Sequence, residues 1–178
     1  MVIETDWYVV TGGPSSGKTK TIEALSLLGY AVVTEAARGL IDEERSKGLS
    51  AEEVRSNESE FQRIVLQMKI DVEDRIPADR LTFFERGIPD TIAYYQICGV
   101  SVDSVIEASM KRKYKGVFLL AQMPFENDYA RTEDEGHAYE LSRLLRLSYS
   151  NLGYDVIAVP AIKPISERVK FILSRVQR

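Results

Sequence analysis

Five short apolar runs divide the chain, and each is followed by a longer stretch whose apolar residues recur at helical spacing. Trp7-Tyr8-Val9-Val10-Thr11 is rich in β-formers and stops at Gly12-Gly13-Pro14, which predicts a short buried strand. From Gly17 onward, Ile22, Leu25 and Leu28 fall near one helical face, and Gly29 reads as the helix stop. Tyr30 to Thr34 predicts a second strand. The stretch from 35 to 78 is polar, with Ile64, Met68 and Val72 marking a long helix that ends near Pro77. Its most polar part, Ser46 to Ser59, reads as the most mobile. Leu81 to Phe84 predicts a third strand, ending at Glu85-Arg86-Gly87. A helix over Ile88 to Ile97 follows, with Pro89 near its start, and then another over Val102 to Tyr114. Gly116 to Leu120 predicts a fourth strand, residues 121 to 136 are irregular, and Leu141, Leu144, Leu145, Ser148 and Leu152 mark a helix. Asp155 to Pro160 predicts the fifth strand and Pro164 to Val176 the closing helix.

Strands that alternate with helices in this way predict an α/β fold, with a parallel sheet covered by helices on both faces. No repeat, linker or low-complexity stretch interrupts the pattern. A single domain over residues 1–178 is therefore expected.

Composition narrows the function classes. A chain of 178 residues, 44% hydrophobic and 28% charged, has the make-up of a globular protein rather than a fibrous or disordered one. Cys98 is the single cysteine and His137 the single histidine, so an internal disulfide is impossible and a zinc cage is disfavoured. With 23 basic against 27 acidic side chains the net charge is −4, which argues against a dedicated nucleic-acid binder. The basic run Lys111 to Lys115 is read as a helix end, where cations suit the dipole. No apolar run is long enough to cross a membrane. Met1 to Asp6 lacks the basic start of a signal peptide, and a cytoplasmic location is the expectation.

Gly12-Gly13-Pro14-Ser15-Ser16-Gly17-Lys18-Thr19 fits the phosphate-loop pattern G-x-x-x-x-G-K-[ST] in full, between a predicted strand and a predicted helix. Glycines allow a tight turn that aims successive N–H groups at phosphate oxygens, and the helix N-terminus adds its positive dipole end. Lys18 supplies a cation to the β- and γ-phosphates, and the Thr19 hydroxyl is a ligand for Mg²⁺. A nucleoside triphosphate site follows. The absence of an N-K-x-D guanine-reading motif favours ATP.

Ligands of open parallel sheets bind outside the carboxyl ends of the strands, so the other strand ends carry the remaining candidates. Glu85 follows four apolar residues, as a Walker B carboxylate does. It is expected either to hold a water on Mg²⁺ or to accept a proton from an attacking hydroxyl. Glu35 ends the second strand and faces the same region if the first three strands are neighbours; as an alternative it caps the next helix. Arg38 and Arg86 are candidate anion clamps, or else members of ordinary ion pairs. Arg131, in the irregular segment after the fourth strand, is the candidate lid cation that reaches the transferring phosphoryl group. Arg143 and Arg146 on the next helix are weaker candidates for that task.

These residues together resemble the AAA_28-type family of P-loop ATPases. The resemblance is carried by Thr11 to Thr19, by Leu28-Gly29-Tyr30, by Val32 to Arg38 with its Glu35-Ala36-Ala37-Arg38, and by Glu85-Arg86-Gly87-Ile88-Pro89-Asp90. It is also carried by Asn127-Asp128 with Arg131, and by Leu152-Gly153-Tyr154. The group is similar to the kinase domain of bacterial nicotinamide riboside kinases and, more distantly, to nucleoside and nucleotide kinases. The resemblance implies a kinase-like strand order of second, third, first, fourth, fifth, and a lid near residues 124–137. It also implies that Glu85 acts near the acceptor and that Arg86 binds substrate or phosphate. From their place at the strand ends, Glu35, Arg38, Arg86 and Asp90 are expected to line the acceptor pocket. The leading expectation is transfer of the ATP γ-phosphoryl group to a small-molecule acceptor, with ATP and Mg²⁺ as cofactors. The alternatives are an NTPase that uses water as acceptor, in the manner of a regulatory switch, and a non-catalytic nucleotide-binding module. A homodimer is compatible with the sequence, which leaves the oligomeric state open.

Overall fold

The computed structural model describes residues 2–123 and 135–176, with side chains in the second segment from Ala138 onward. The elements in chain order begin with strand β1 (Ile3–Glu4), β2 (Trp7–Thr11), helix α1 (Lys18–Leu27), β3 (Ala31–Val33), α2 (Ala36–Ser46), α3 (Ala51–Val54) and α4 (Glu58–Arg75). They continue with β4 (Thr82–Glu85), α5 (Asp90–Ile97), α6 (Asp103–Ser109), β5 (Arg112–Lys113), β6 (Gly116–Leu120), α7 (Glu135–Ser150), β7 (Val156–Val159) and α8 (Ile165–Leu173).

Five strands form one parallel sheet in the order β3-β4-β2-β6-β7. This is the second, third, first, fourth, fifth order of the sequence expectation. The central strand β2 shows why both faces must be covered. Its five residues are all buried, and alternate side chains feed opposite cores. Trp7 and Val9 pack with Phe84, Ala93, Leu145 and Tyr149, on the side of α5 and α7. Tyr8 and Val10 pack with Ile22, Leu25, Val169 and Ile172, on the side of α1 and α8. The result is a three-layer α/β/α architecture. Each fully buried aliphatic or aromatic side chain of these cores contributes roughly 1.5–3 kcal/mol through removal of apolar surface from water.

Two local readings differ from expectation. The basic run Lys111 to Lys115 is not a helix end. Helix α6 stops at Ser109, and Arg112–Lys113 pair in parallel with Ile3–Glu4. The cations there are matched across the chain, Arg112 to Asp74 and Lys115 to Asp6, each at 2.7 Å. The long helix α4 is present, but its buried face does not run along Ile64, Met68 and Val72. Ile64 is 41% exposed. The buried row is Phe61, Val65, Lys69 and Glu73, so two charged residues occupy core positions four and eight residues beyond Val65.

Candidate active site

The loop from Gly12 to Thr19 joins β2 to α1 at the carboxyl end of the sheet. Ser15 and Gly17 both take left-handed backbone conformations, with φ of 58° and 82°. At Gly17 a Cβ would collide with the Arg168 guanidinium, so only glycine serves there. Gly17 is also the N-cap of α1. It offers no capping side chain, and the first turn carries no acidic residue, so the first-turn N–H groups are left for an external anion. The Ser16 hydroxyl donates to the Gly13 carbonyl at 2.9 Å, and Gln122 donates to the Pro14 carbonyl at 2.8 Å. The Lys18 ammonium donates to the Gly13 carbonyl at 2.8 Å. Burial, helped by the nearby Arg86, brings its pKa down to about 8. A desolvated cation over an uncapped helix start is a cradle suited to phosphate.

The Thr19 hydroxyl donates to Glu85 at 2.6 Å. Glu85 is almost fully buried at the end of β4, and burial raises its pKa despite that hydrogen bond. Thr19 and Glu85 are hard oxygen donors side by side, which suits Mg²⁺ shared with phosphate oxygens. Among the described residues no group of three or more His, Cys, Asp or Glu could form a protein-only metal cage.

Beside this loop lies a network of buried charge. Arg86 has a φ of 66°, uncommon for a residue with a side chain and costing about 1–3 kcal/mol. Its surroundings hold it there. Its N–H donates to the Val10 carbonyl at 3.1 Å, its Nε to Glu35 at 2.7 Å and its Nη1 to Asp90 at 3.1 Å. The Tyr94 ring lies 5.4 Å from the guanidinium carbon. Burial opposes the charge on Arg86, yet Tyr94, Asp90 and Glu35 keep it above the ordinary arginine range. Glu35 is the N-cap residue of α2 but makes no capping hydrogen bond, so the ion-pair role prevails over the capping alternative. Burial would raise its pKa, but Arg86 and Lys18 hold it below the usual value.

Asp90 departs from the expected substrate-binding role. It is fully buried, and its oxygens accept from Arg86, from Thr11 at 2.5 Å, from Tyr149 at 2.5 Å and from the Gly87 N–H at 2.9 Å. Both carboxylate oxygens are therefore occupied within the fold, one of them shared between Thr11 and Arg86. Gly87 is needed at this corner because a Cβ would press on the Tyr114 and Tyr149 hydroxyls at 2.8 Å. Those hydroxyls accept from the backbone N–H groups of Ile88 and Gly87.

Glu35, Arg38 and Arg86 line one cavity of about 360 Å³ between α2, α4 and α5. A second cavity, of about 210 Å³, adjoins it at Glu35, Lys69 and Arg86 and reaches Glu85. The sequence reading missed Lys69, Glu73, Tyr114, Tyr149 and Arg168. The usable signal was a lysine and a glutamate at core spacing on α4. Lys69 donates to the Gly87 carbonyl at 2.9 Å and to the Thr91 hydroxyl at 3.1 Å, and burial brings its pKa to about 8. Arg168, on α8, braces the loop from behind through the Gly17 carbonyl and the Thr21 hydroxyl. Arg143 pairs with Glu140 on an exposed helix face. Arg131 and the expected lid near 124–137 lie outside the described residues, as does the His137 side chain.

Comparison with known proteins agrees with this geometry. No curated protein sequence matches significantly. Among solved structures, a deoxyadenosine kinase from M. mycoides with bound dCTP superposes with a TM-score of 0.64 at 14% identity, over 96% of this chain and 98% of that one. A thymidylate kinase from Ehrlichia chaffeensis gives a TM-score of 0.66 at 14% identity, over 98% and 100%. A NadR protein in complex with NR gives 0.63 at 16% identity, over 87% of this chain and 43% of that one. At these identities the likeness shows the fold, that of the P-loop kinases. The family model described as AAA domain (AAA_28) matches residues 7–168, and the chain belongs to that family.

Proposed function

We propose that this protein is a phosphotransferase that moves the γ-phosphoryl group of ATP to a small-molecule acceptor in the cavity beside Glu35, Arg38 and Arg86. The observation that carries the reading is the pair of adjoining cavities, the smaller of which is lined by Glu85, the carboxylate that accepts from Thr19 of the phosphate loop. The kinase folds it resembles support the same class of reaction.

In this reading the backbone N–H groups of Gly13 and of Ser15 to Thr19 hold the β- and γ-phosphates, and Lys18 gives up its hydrogen bond to Gly13 for a phosphate oxygen. Thr19 and Glu85 would hold Mg²⁺, which when bound would supply positive charge against the negative charge of the phosphates. Glu85 takes the proton of the attacking acceptor hydroxyl. Its raised pKa suits a base better than that of Glu35, which Arg86 holds low. The acceptor oxygen forms its bond to γ-phosphorus as the bond from γ-phosphorus to the bridging oxygen breaks, and ADP leaves.

The test incubates the protein with Mg²⁺-ATP and a panel of nucleosides, nucleotides, ribosides and small hydroxy acids, following ADP release and phosphorylated product. Acceptor-dependent ADP release, with turnover of roughly 1–100 s⁻¹, is expected. Rapid ADP release that no acceptor alters would overturn the reading in favour of a hydrolase.

A further inference from the structure

The charge around the larger cavity says what kind of acceptor it takes. The protein as a whole is acidic, with a net charge of −4. Around this one cavity the balance reverses, with five cationic side chains against the carboxylates of Glu35 and Asp42. Glu35 is already engaged by Arg86. Helix α2 presents Arg38, Ile41, Asp42 and Arg45 to the cavity, the three-, four- and seven-residue spacing of a single helical face. Among the described residues Arg38 and Arg45 make no ion pair and no hydrogen bond, and Asp42 between them pairs with neither. The backbone positions of Arg38 and Arg45 lie about 10 Å apart along the helix axis. Arg38 lies at the end nearer the reaction, where its charge acts on Glu85.

The floor adds an independent observation. Lys69 is only 8% exposed and lines both cavities. An ammonium has three donors, and among the described residues Lys69 uses two, on Gly87 and Thr91. Among the described residues, the remaining N–H of this buried cation has no further hydrogen-bond partner. Phe61 and Tyr94 complete the wall with aromatic surface. A neutral acceptor would leave the two guanidiniums to water, whereas an anion would engage them and the remaining Lys69 donor with charge-assisted hydrogen bonds.

Building on the phosphotransferase reading, we infer that the acceptor is itself an anion, carrying a phosphate or carboxylate that Lys69 meets from the floor and Arg38 and Arg45 meet from α2. A solvent-facing cationic cleft on an acidic protein also draws such ligands in by its field. The inference extends the acceptor site to Arg45 and Lys69.

The experiment fills the phosphate loop first, with Mg²⁺ and a non-hydrolysable ATP analogue, so that added anions meet the acceptor cavity. Calorimetric titrations then use inorganic phosphate, nucleoside 5′-monophosphates beside their parent nucleosides, and a polyhydroxylated cyclic carboxylic acid beside its methyl ester. At least one anion should bind about tenfold or more tightly than its neutral partner. The phosphate and carboxylate arms distinguish the two sources of charge. Arg45→Gln should abolish the preference, while Arg63→Gln, an exposed arginine of α4 that pairs with Glu60, should keep it. Thermal melts confirm that both variants fold. Neutral partners that bind as tightly as the anions, a preference that survives Arg45→Gln, or no anion bound by the wild type would each overturn the inference. ATP turnover separates it from the reading beneath it. Anion selectivity without turnover on any bound anion overturns the phosphotransferase and leaves the anion site. Turnover on neutral acceptors alone does the reverse.

Discussion

The phosphate loop and the cavity beside it share one edge of one sheet, yet they are assembled in opposite ways. The loop comes from eight consecutive residues, Gly12 to Thr19, and its binding groups are largely backbone N–H donors. The cavity comes from β3, α2, α4, β4 and α5, and its working groups are side chains whose charges depend on one another. Glu35 and Arg86 are 51 residues apart in sequence, and Thr11 and Asp90 are 79 apart. A backbone site can lose a side chain without losing its shape. A site built from buried ion pairs cannot, because a charge left alone in the interior costs several kcal/mol. Substitutions on the loop side should therefore act on ligands, and those on the cavity side should also act on the fold.

Asp90→Asn is the sharpest way to break that comparison. Asp90 is buried, and it faces Arg86 at 3.1 Å while its charge also stabilises Lys69. Removing the charge should cost about 3–5 kcal/mol at pH 7, read as a fall in the urea unfolding midpoint. The Asp90 pKa lies below its unfolded value, so its contribution is present above the unfolded pKa and fades as pH falls through the folded one. The gap between variant and wild type should narrow in acid. A loss under about 1 kcal/mol at pH 7 would mean that Arg86 is held by Glu35 and its backbone alone.

Next in size is Glu85→Gln, at the seam between the two halves. It keeps the shape and still accepts from Thr19, but it takes up no proton. Turnover should fall by about 10² or more, close to 2.7 kcal/mol, while affinity for the ATP analogue in the absence of Mg²⁺ changes little. Unchanged steady-state turnover would reduce Glu85 to a holder of the Thr19 hydroxyl.

On the loop side, Lys18→Ala should weaken binding of the Mg²⁺-ATP analogue by tenfold or more, about 1.4 kcal/mol, and leave the unfolding midpoint near that of the wild type. Burial holds Lys18 at about 8, and the polyphosphate favours its charged form, so wild-type affinity should decline as pH rises from 7 to 9. The Lys18→Ala variant should lack that decline. Calorimetry across this range decides the matter, and a parallel decline in both proteins would assign the pH dependence to another group.

What could be read from sequence follows the same division. The loop was legible because its chemistry and its spacing are local, and the covered parallel sheet followed from five apolar runs alternating with helices, whereas its strand order came from the family resemblance alone. Glu35 and Arg86 were legible as strand-end residues, but that they pair with each other depends on β3 lying beside β4, which no local pattern states. Asp90 illustrates the difficulty. At the start of a helix beside the site it looked like a ligand group, but the structure turns it inward, onto Thr11 and Tyr149. Lys69 and Glu73 were missed because the apolar row Ile64, Met68 and Val72 gave a plausible face for α4. The true buried row includes two charges that only tertiary partners make tolerable.

Glu73 provides the smallest and most discriminating prediction. It is buried on α4 one turn beyond Lys69 and lines the smaller cavity. Unlike Glu35 and Asp90 it forms no ion pair among the described residues, and its partner is the Tyr114 hydroxyl, which donates to it at 2.5 Å. Burial pushes its pKa from 4.5 up to about 7. Between those values the native state holds a proton that the unfolded chain releases. The stabilisation from this group is thus complete below pH 4.5, is lost as pH rises through 7, and is flat beyond. Glu73→Gln keeps an oxygen to accept from Tyr114 and removes the titration. Relative to wild type the variant should be near neutral at pH 4 and more stable at pH 8. The shift sets an upper bound of about 3 kcal/mol, and burial of the extra amide N–H₂ lowers the expected gain to roughly 1 kcal/mol. Urea midpoints at the two pH values measure it. A variant less stable than wild type at pH 8 would show that Glu73 works as a buried anion toward Lys69, which would bring it into the ion-pair network of the cavity.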